Sequence, residues 1–376
     1  MSNFIPVNEP LLDGNEKKYL AECIDSGWIS SEGPFIKQFE ENFAQKVNRK
    51  YAIAVANGTL AIDAAIDALD IKAGDEVILP TFTIISCILQ IVRIGAVPVL
   101  VDCDPYTFNM NINQIESKIT KKTKAIMVVH IYGLPVDVSP ILVLAKKYNL
   151  RIIEDAAEMH GQTYNGKPCG SFGDVSTFSF YPNKHITTGE GGMIVTDDQA
   201  IAERCKSLRN LCFQPQKRFY HEELGWNMRM TNLQAALGLA QLERLEQFVI
   251  KKRAMGTLYT KLLSELSDWI QLPTVSTEYA HNIYWVYTIV LKDNISHNAE
   301  SIMQKLATLG IGTRPFFYPM HLQPVLKNHG LFINEHYPVA EKIAERGFYI
   351  PSGLALTEEN IKQVALAVKK VIYESI

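Results

Sequence analysis

Between Tyr51 and Thr196, short apolar runs alternate with stretches whose apolar positions recur every three or four residues. The runs Tyr51–Ala56, Glu76–Leu79, Val97–Val101, Ala125–His130, Arg151–Ile153, Val175–Phe180 and Met193–Thr196 are read as strands. Several are β-branched-rich and apolar at successive positions, the pattern of strands covered on both faces. Helical periodicity separates them, as over Thr59–Ala68 and Val138–Tyr148. This alternation predicts an α/β fold with a doubly wound sheet.

Further along, Thr231 is a candidate N-cap for one long helix running through Ala236, Leu239, Ala240, Leu242 and Leu245. Beyond it the pattern changes to α+β: a strand over Tyr284–Leu291, a helix over Ala299–Leu309, a turn into Thr313-Arg314-Pro315 and a closing helix over Glu358–Tyr373. The expected division is a large α/β domain over 1–247 and a smaller C-terminal domain over 248–376. The first fifty residues are expected either to complete the second domain or to lie across the mouth of the site.

Composition narrows the classes. Apolar residues make up 47% of the 376 and charged residues 20%, an ordinary globular profile. A formal net charge of -3 gives no reason to expect a nucleic-acid or acidic-membrane partner. Six cysteines without a Cys-x-x-Cys pair suit a reduced protein better than a disulfide scaffold. No leader pattern or membrane-length apolar run is visible, so a cytoplasmic protein is expected. The histidines lack metal-ligand spacing, and no Gly-x-Gly-x-x-Gly follows the first strand, so neither a metal nor a nicotinamide enzyme is expected.

The chemistry concentrates in Ile152-Ile153-Glu154-Asp155-Ala156-Ala157-Glu158 and in Phe178-Ser179-Phe180-Tyr181-Pro182-Asn183-Lys184-His185 through Gly192. Asp155 sits at the carboxyl end of one apolar strand, and Ser179 and Lys184 come off the end of the next, which puts them at the sheet edge where α/β folds bind ligands. Lys184 follows in a loop that ends in glycines. A lysine that holds an aldehyde as a Schiff base, with a carboxylate that keeps a ring nitrogen protonated, suits pyridoxal 5'-phosphate. Asn57-Gly58-Thr59 adds a helix amino terminus suited to the phosphate, and Ser179 a further hydroxyl. Singly these are a turn, a strand-end carboxylate and a surface lysine; in this order on one architecture they point to a cofactor site.

The chain resembles the DegT/StrS family of nucleotide-sugar aminotransferases, which have the aspartate-aminotransferase fold (fold type I). The resemblance rests on the two stretches above, Trp28-Ile29-Ser30-Ser31, Gly74-Asp75-Glu76-Val77, His130-Ile131-Tyr132-Gly133, Asn227 through Ala236, and Arg314-Pro315-Phe316-Phe317-Tyr318-Pro319-Met320-His321. It implies that Lys184 carries the cofactor, Asp155 pairs with the pyridinium nitrogen, Glu158 reaches the ring hydroxyl and Ala157 lies against the ring. Gly58, Thr59 and Ser179 match phosphate contacts, and Asn227 matches a residue that reaches the phosphate of a neighbouring subunit, which implies a homodimer with shared sites. Trp28, Ser30, His185, Arg314 and His321 are the positions expected around the substrate. Ile84 departs from the pattern: many relatives carry an aromatic residue there, and an isoleucine forfeits stacking on the ring.

The implied reaction moves an amino group from glutamate to a nucleotide-linked 4-keto-6-deoxyhexose. Asp13-Gly14-Asn15-Glu16 and the Thr313–His321 stretch look most like enzymes that aminate GDP-4-keto-6-deoxymannose. The alternatives are amination of a UDP-2-acetamido-4-keto-6-deoxyhexose, a pyridoxal-dependent sugar 3-dehydratase, and a regulator that binds the cofactor without turnover. Dehydrating relatives replace the Schiff-base lysine by histidine; here that place is Lys184, with His185 after it.

Overall fold

A computed structural model describes residues 4–214, 216–217 and 219–376. A seven-stranded sheet carries the first half: β1 (Tyr51–Val55), β2 (Glu76–Pro80), β3 (Val97–Val101), β4 (Thr123–Val129), β5 (Arg151–Asp155), β8 (Val175–Ser179) and β9 (Gly192–Thr196). Between β5 and β8 lies a short hairpin, β6 (Thr163–Tyr164) and β7 (Lys167–Pro168). The sheet order is β1-β9-β8-β5-β4-β2-β3. Pairing across β2, β3, β4, β5 and β8 is parallel, and β9 runs antiparallel to both its neighbours.

Both faces are covered, as the uninterrupted apolar runs require. Ile53, Val55, Val77, Leu79, Met127, Val129 and Ile153 pack into one buried cluster, while Ala52, Ala54, Ile78, Ile126, Val128 and Ile152 point the other way into a second. Helices α3 (Gly58–Ala68), α4 (Ser86–Arg93) and α6 (Gln199–Arg209) contribute to the first face. Helices α2 (Pro34–Lys46), α5 (Val138–Tyr148) and α7 (Asn232–Leu242) contribute to the second, beside α1 (Glu16–Ser26).

The expected single helix from Thr231 is two. Thr231 does cap α7, in a capping box with Gln234. The helix then breaks at Glu243 and Arg244 before α8 (Leu245–Leu263). Arg244 leaves helical geometry at φ -112°, ψ 6°, and its guanidinium pairs with Asp13. Glu243 takes Tyr19 and Asn15 at 2.5 and 2.7 Å. Contacts from the N-terminal segment thus accompany the break where sequence shows no glycine or proline. Position 247 lies inside α8.

The second unit is a four-stranded antiparallel sheet in the order β10-β11-β13-β12: β10 (Ile270–Gln271), β11 (Tyr287–Leu291), β12 (Arg314–Pro315) and β13 (Gly347–Ile350). Helices α9 (Ala299–Thr308), α10 (Pro324–Asn328), α11 (Pro338–Arg346) and α12 (Glu358–Tyr373) accompany it. Ile5 exchanges backbone bonds with Gly310 and Gly312, and Val7 accepts from Ser352 N–H, so the chain's start is stitched to this unit.

Strand β11 begins three residues later than its apolar run suggests. Tyr284 sits at φ 48°, and its N–H donates to Asn282 Oδ1 at 2.6 Å, a side-chain turn that ends extended backbone there. Gly133 makes room for this turn: a Cβ on it would lie 2.4 Å from Asn282 Oδ1 and 2.9 Å from Trp285 N.

Candidate active site

Strands β4, β5 and β8 end together, and a cavity of about 750 Å3 opens at that edge between the sheet, the start of α3 and the second unit's Trp285, Phe317 and Tyr349. Asp155, Glu158, Lys184, Gly58, Thr59, Ala157, Ser179 and Ile84 all line it. Its size is that of an ordinary small-molecule site.

Asp155, the last residue of β5, is buried; its Oδ1 accepts Ala157 N–H at 3.0 Å and its Oδ2 lies 3.2 Å from the Cys87 thiol, which donates to it. Burial pushes the carboxyl above its usual range, against the pull of these donors and of Lys184. Lys184 lies in the loop joining β8 to the antiparallel β9. Its Nζ is 3.9 Å from Glu158 Oε1 and 4.0 Å from the centre of the Trp285 ring. Burial drives the lysine's pKa down and that of Glu158 up; each charge opposes the other's shift. Glu158 is also fixed by the Tyr132 N–H, which donates to Oε2 at 2.6 Å.

At the far side, Asn57 caps α3, its Oδ1 accepting Leu60 N–H at 2.9 Å. The N–H groups of Gly58 and Thr59 in the first turn have no acceptor within the helix and remain for an anion. Gly58 is needed for the close approach: a Cβ there would lie 2.7 Å from Ser179 Cβ. Thr59 Oγ1 meets Ser86 Oγ at 2.8 Å.

These residues fit pyridoxal phosphate. An anion-ready helix end, a desolvated carboxylate and an amine held by no direct hydrogen bond face one cavity. Two of its lining residues, Thr177 and Asn183, carry side-chain oxygens that are buried and, among the described residues, have no hydrogen-bond partner, as polar groups awaiting a bound molecule would.

The other expected residues lie elsewhere. Trp28 is 50% exposed, in a surface groove between α1 and α2. Its carbonyl and that of Ser30 take Asn232, at 2.7 and 2.6 Å. His185 faces away from the cavity: it is buried, with Nε2 donating to Ile283 O at 3.2 Å, and burial holds its pKa well below the usual value. His321 is buried too, spent on Thr81 Oγ1 at 2.8 Å and Glu341 Oε1 at 2.9 Å. Among the described residues His185 keeps one buried nitrogen without a partner but does not line the cavity, and both nitrogens of His321 are taken. Arg314 is exposed beside a smaller cavity of about 230 Å3, which shares Tyr181, Asn183 and Tyr349 with the main one. Asn227 is exposed and outside its own protomer's cavity, its Oδ1 accepting Arg229 N–H at 3.4 Å.

Sequence reasoning missed Cys87, Thr177, Trp285 and Tyr349. For Cys87 a signal was present: it follows three residues after Ile84, a position already singled out. Trp285 and Tyr349 arrive from the second unit, and nothing local marks them.

Fold and site together define a pyridoxal-phosphate enzyme of the aspartate-aminotransferase fold. The chain belongs to the DegT/DnrJ/EryC1/StrS aminotransferase family, whose model matches residues 10–369. It is 44% identical over 358 residues to a GDP-perosamine synthase of Escherichia coli O157:H7, covering 95% of this chain and 96% of that one. Identity to a GDP-perosamine synthase of Caulobacter vibrioides is 43% over 368 residues, 98% of each chain. Among solved structures, an aminotransferase from Psychrobacter cryohalolentis superposes with a TM-score of 0.92 at 33% identity, over 99% of both chains.

Proposed function

We propose that this enzyme transfers an amino group from glutamate to the C4 carbonyl carbon of GDP-4-keto-6-deoxymannose, giving GDP-perosamine, and that it works as a homodimer with shared active sites. The substrate assignment rests on the 44% and 43% identity, over nearly the whole of each chain, to two proteins of that name. Support for the chemistry is the meeting of Lys184, Asp155 and the α3 terminus in one cavity.

When bound, pyridoxal phosphate supplies an electron sink for the carbon that gains or loses nitrogen. Asp155 offers that ring an anionic oxygen in a buried setting, where an opposite charge is worth far more than in water. The pull of Cys87 and Ala157 N–H keeps its carboxylate aimed. Lys184 Nζ takes a proton at the substrate carbon and returns it; burial, by lowering its pKa, keeps a neutral fraction ready near neutral pH. Glu158, held by Tyr132 N–H, gives the returning ammonium a counter-charge. Gly58, Thr59 and Ser179 hold the phosphate, Ala157 and Ile84 border the ring, and Arg314 offers a forked donor towards the diphosphate.

Asn227 supports the shared-site reading by its position. It lies outside its own cavity, beside Leu224 and Trp226, which are 89% and 60% exposed. An apolar surface of this kind suits burial against a second copy.

The test is a panel of GDP-, UDP- and dTDP-linked 4-keto-6-deoxyhexoses incubated with glutamate. The expected amino sugar forms from the GDP substrate. Amination of a UDP-2-acetamido sugar instead would move the assignment to that group. Loss of water without amination would make the enzyme a 3-dehydratase, and cofactor binding without any turnover would make it a regulator.

A further inference from the structure

Lys184 is gripped in an unusual way. Among the described residues its Nζ makes no hydrogen bond; it has a carboxylate oxygen 3.9 Å away on one side and the face of an indole on the other, 4.0 Å to the ring centre. The same indole also holds the lysine's loop. Trp285 Nε1–H donates to the carbonyl of Asn183, the residue before Lys184, at 2.8 Å. Trp285 itself is 3% exposed and has little freedom to turn. It stacks on Tyr132 at 5.8 Å with 25° between the planes, and its carbonyl takes the buried Lys252 Nζ at 2.8 Å.

We infer that Trp285 is the positioning residue of the catalytic lysine: its ring face holds the free Lys184 ammonium while its N–H fixes the loop that carries it. The inference rests on the transamination reading, because that reaction has a stage at which Lys184 is released from the cofactor and must remain beside the reacting carbon. A hydrogen-bonded ammonium would have to break a directional bond before moving. A ring face attracts a cation by its quadrupole without fixing the direction of any N–H, so the amine is retained and still free to swing. The attraction acts only on the charged form. It therefore opposes the desolvation that lowers the lysine's pKa, and it helps set the balance between the form that takes a proton and the form that returns one.

Fluorinated tryptophans separate this role from packing. Successive ring fluorines weaken the quadrupole while keeping the N–H and nearly the same shape, so the fold and the Asn183 bond survive. Protein loaded with pyridoxamine phosphate, in which Lys184 is free, is labelled with acetic anhydride from about pH 6 to 10, and acetylation of Lys184 is read by peptide mass spectrometry. The midpoint should fall stepwise with fluorination, by roughly half to one and a half units in all. Trp285→Phe, which keeps a weaker face, should lie between the extremes and show no further shift when the remaining tryptophans are fluorinated. A midpoint that stays fixed across the series, or that shifts equally in the Trp285→Phe background, overturns the inference. Failure to hold pyridoxamine phosphate would count against the proposed function instead, and the same labelling of cofactor-free protein would still decide the role of the indole.

Discussion

Glu154 lies directly behind Asp155 and shows how the strand end is held. Its carboxylate is fully buried and accepts from His130 Nε2 at 3.1 Å, from the N–H groups of Gly170, Phe172 and Gly173 at 2.5, 2.9 and 3.1 Å, and from Ser176 Oγ at 2.9 Å. Burial pushes this carboxyl up, but His130 and the backbone donors outweigh it and bring its pKa from 4.5 down to about 2. A drop of this size, at about 1.4 kcal/mol per unit, is worth roughly 3 kcal/mol. Glu154→Gln keeps the shape but turns an NH2 towards donors that need an acceptor, and each buried orphan costs about 1–3 kcal/mol. With two or more donors orphaned, both routes are compatible with a loss of about 3–5 kcal/mol, the range for breaking a buried charged pair. The pH dependence has a definite sign. A carboxylate with a depressed folded pKa stabilises the protein above its unfolded value, and that stability is lost as pH falls from about 5 towards 2. Urea unfolding at a series of pH values checks this. The natural protein should lose stability steeply on acidification, whereas the variant should start lower and fall less. A variant within about 1 kcal/mol of the natural protein at pH 7, with an unchanged acid profile, would refute the reasoning.

Gly58→Ala should weaken pyridoxal-phosphate binding by about tenfold or more, because the new methyl must push Ser179 and the α3 terminus apart; titration by absorbance reads it, and an unchanged affinity contradicts the phosphate assignment. Asp155→Asn should fold and retain the Ala157 contact, yet lose roughly 100- to 1,000-fold in turnover because the amide carries no charge. Single-turnover kinetics with glutamate measure this, and a loss below about tenfold would count against the ring-nitrogen role. Mixing inactive Lys184→Ala chains with Asn227→Ala chains should recover up to about a quarter of the natural activity if each site takes Asn227 from its neighbour. No recovery, in mixtures that do exchange subunits, would mean that the sites are not shared.

The strands and the lysine–carboxylate pair were legible because each depends on local pattern: a doubly covered strand must be apolar at successive positions, and its end marks the ligand edge. What escaped depends on distant partners. The break between α7 and α8 coincides with contacts from Asp13, Asn15 and Tyr19 to Arg244 and Glu243, in a stretch that reads as uninterrupted helix. The late start of β11 depends on the Asn282 turn seated against Gly133, about 150 residues away in sequence. Trp285 was absorbed into a predicted strand for the same reason. His185 and His321 drew attention by lying beside informative motifs, but a histidine next to a functional residue in sequence points to the other side of the chain as readily as to the site.

The central claim is that one amine carries the cofactor, and borohydride reduction of the purified protein followed by peptide mass spectrometry tests it directly. A second buried lysine makes the test discriminating. Burial lowers the pKa of Lys252 to about 7, but its Nζ donates to the carbonyls of Trp285 and Ser352 at 2.8 and 2.5 Å, and it does not line the cavity. A single pyridoxyl group is expected on Lys184, and none in Lys184→Ala. A pyridoxyl group on Lys252 or any other lysine, with Lys184 unmodified, would contradict the claim.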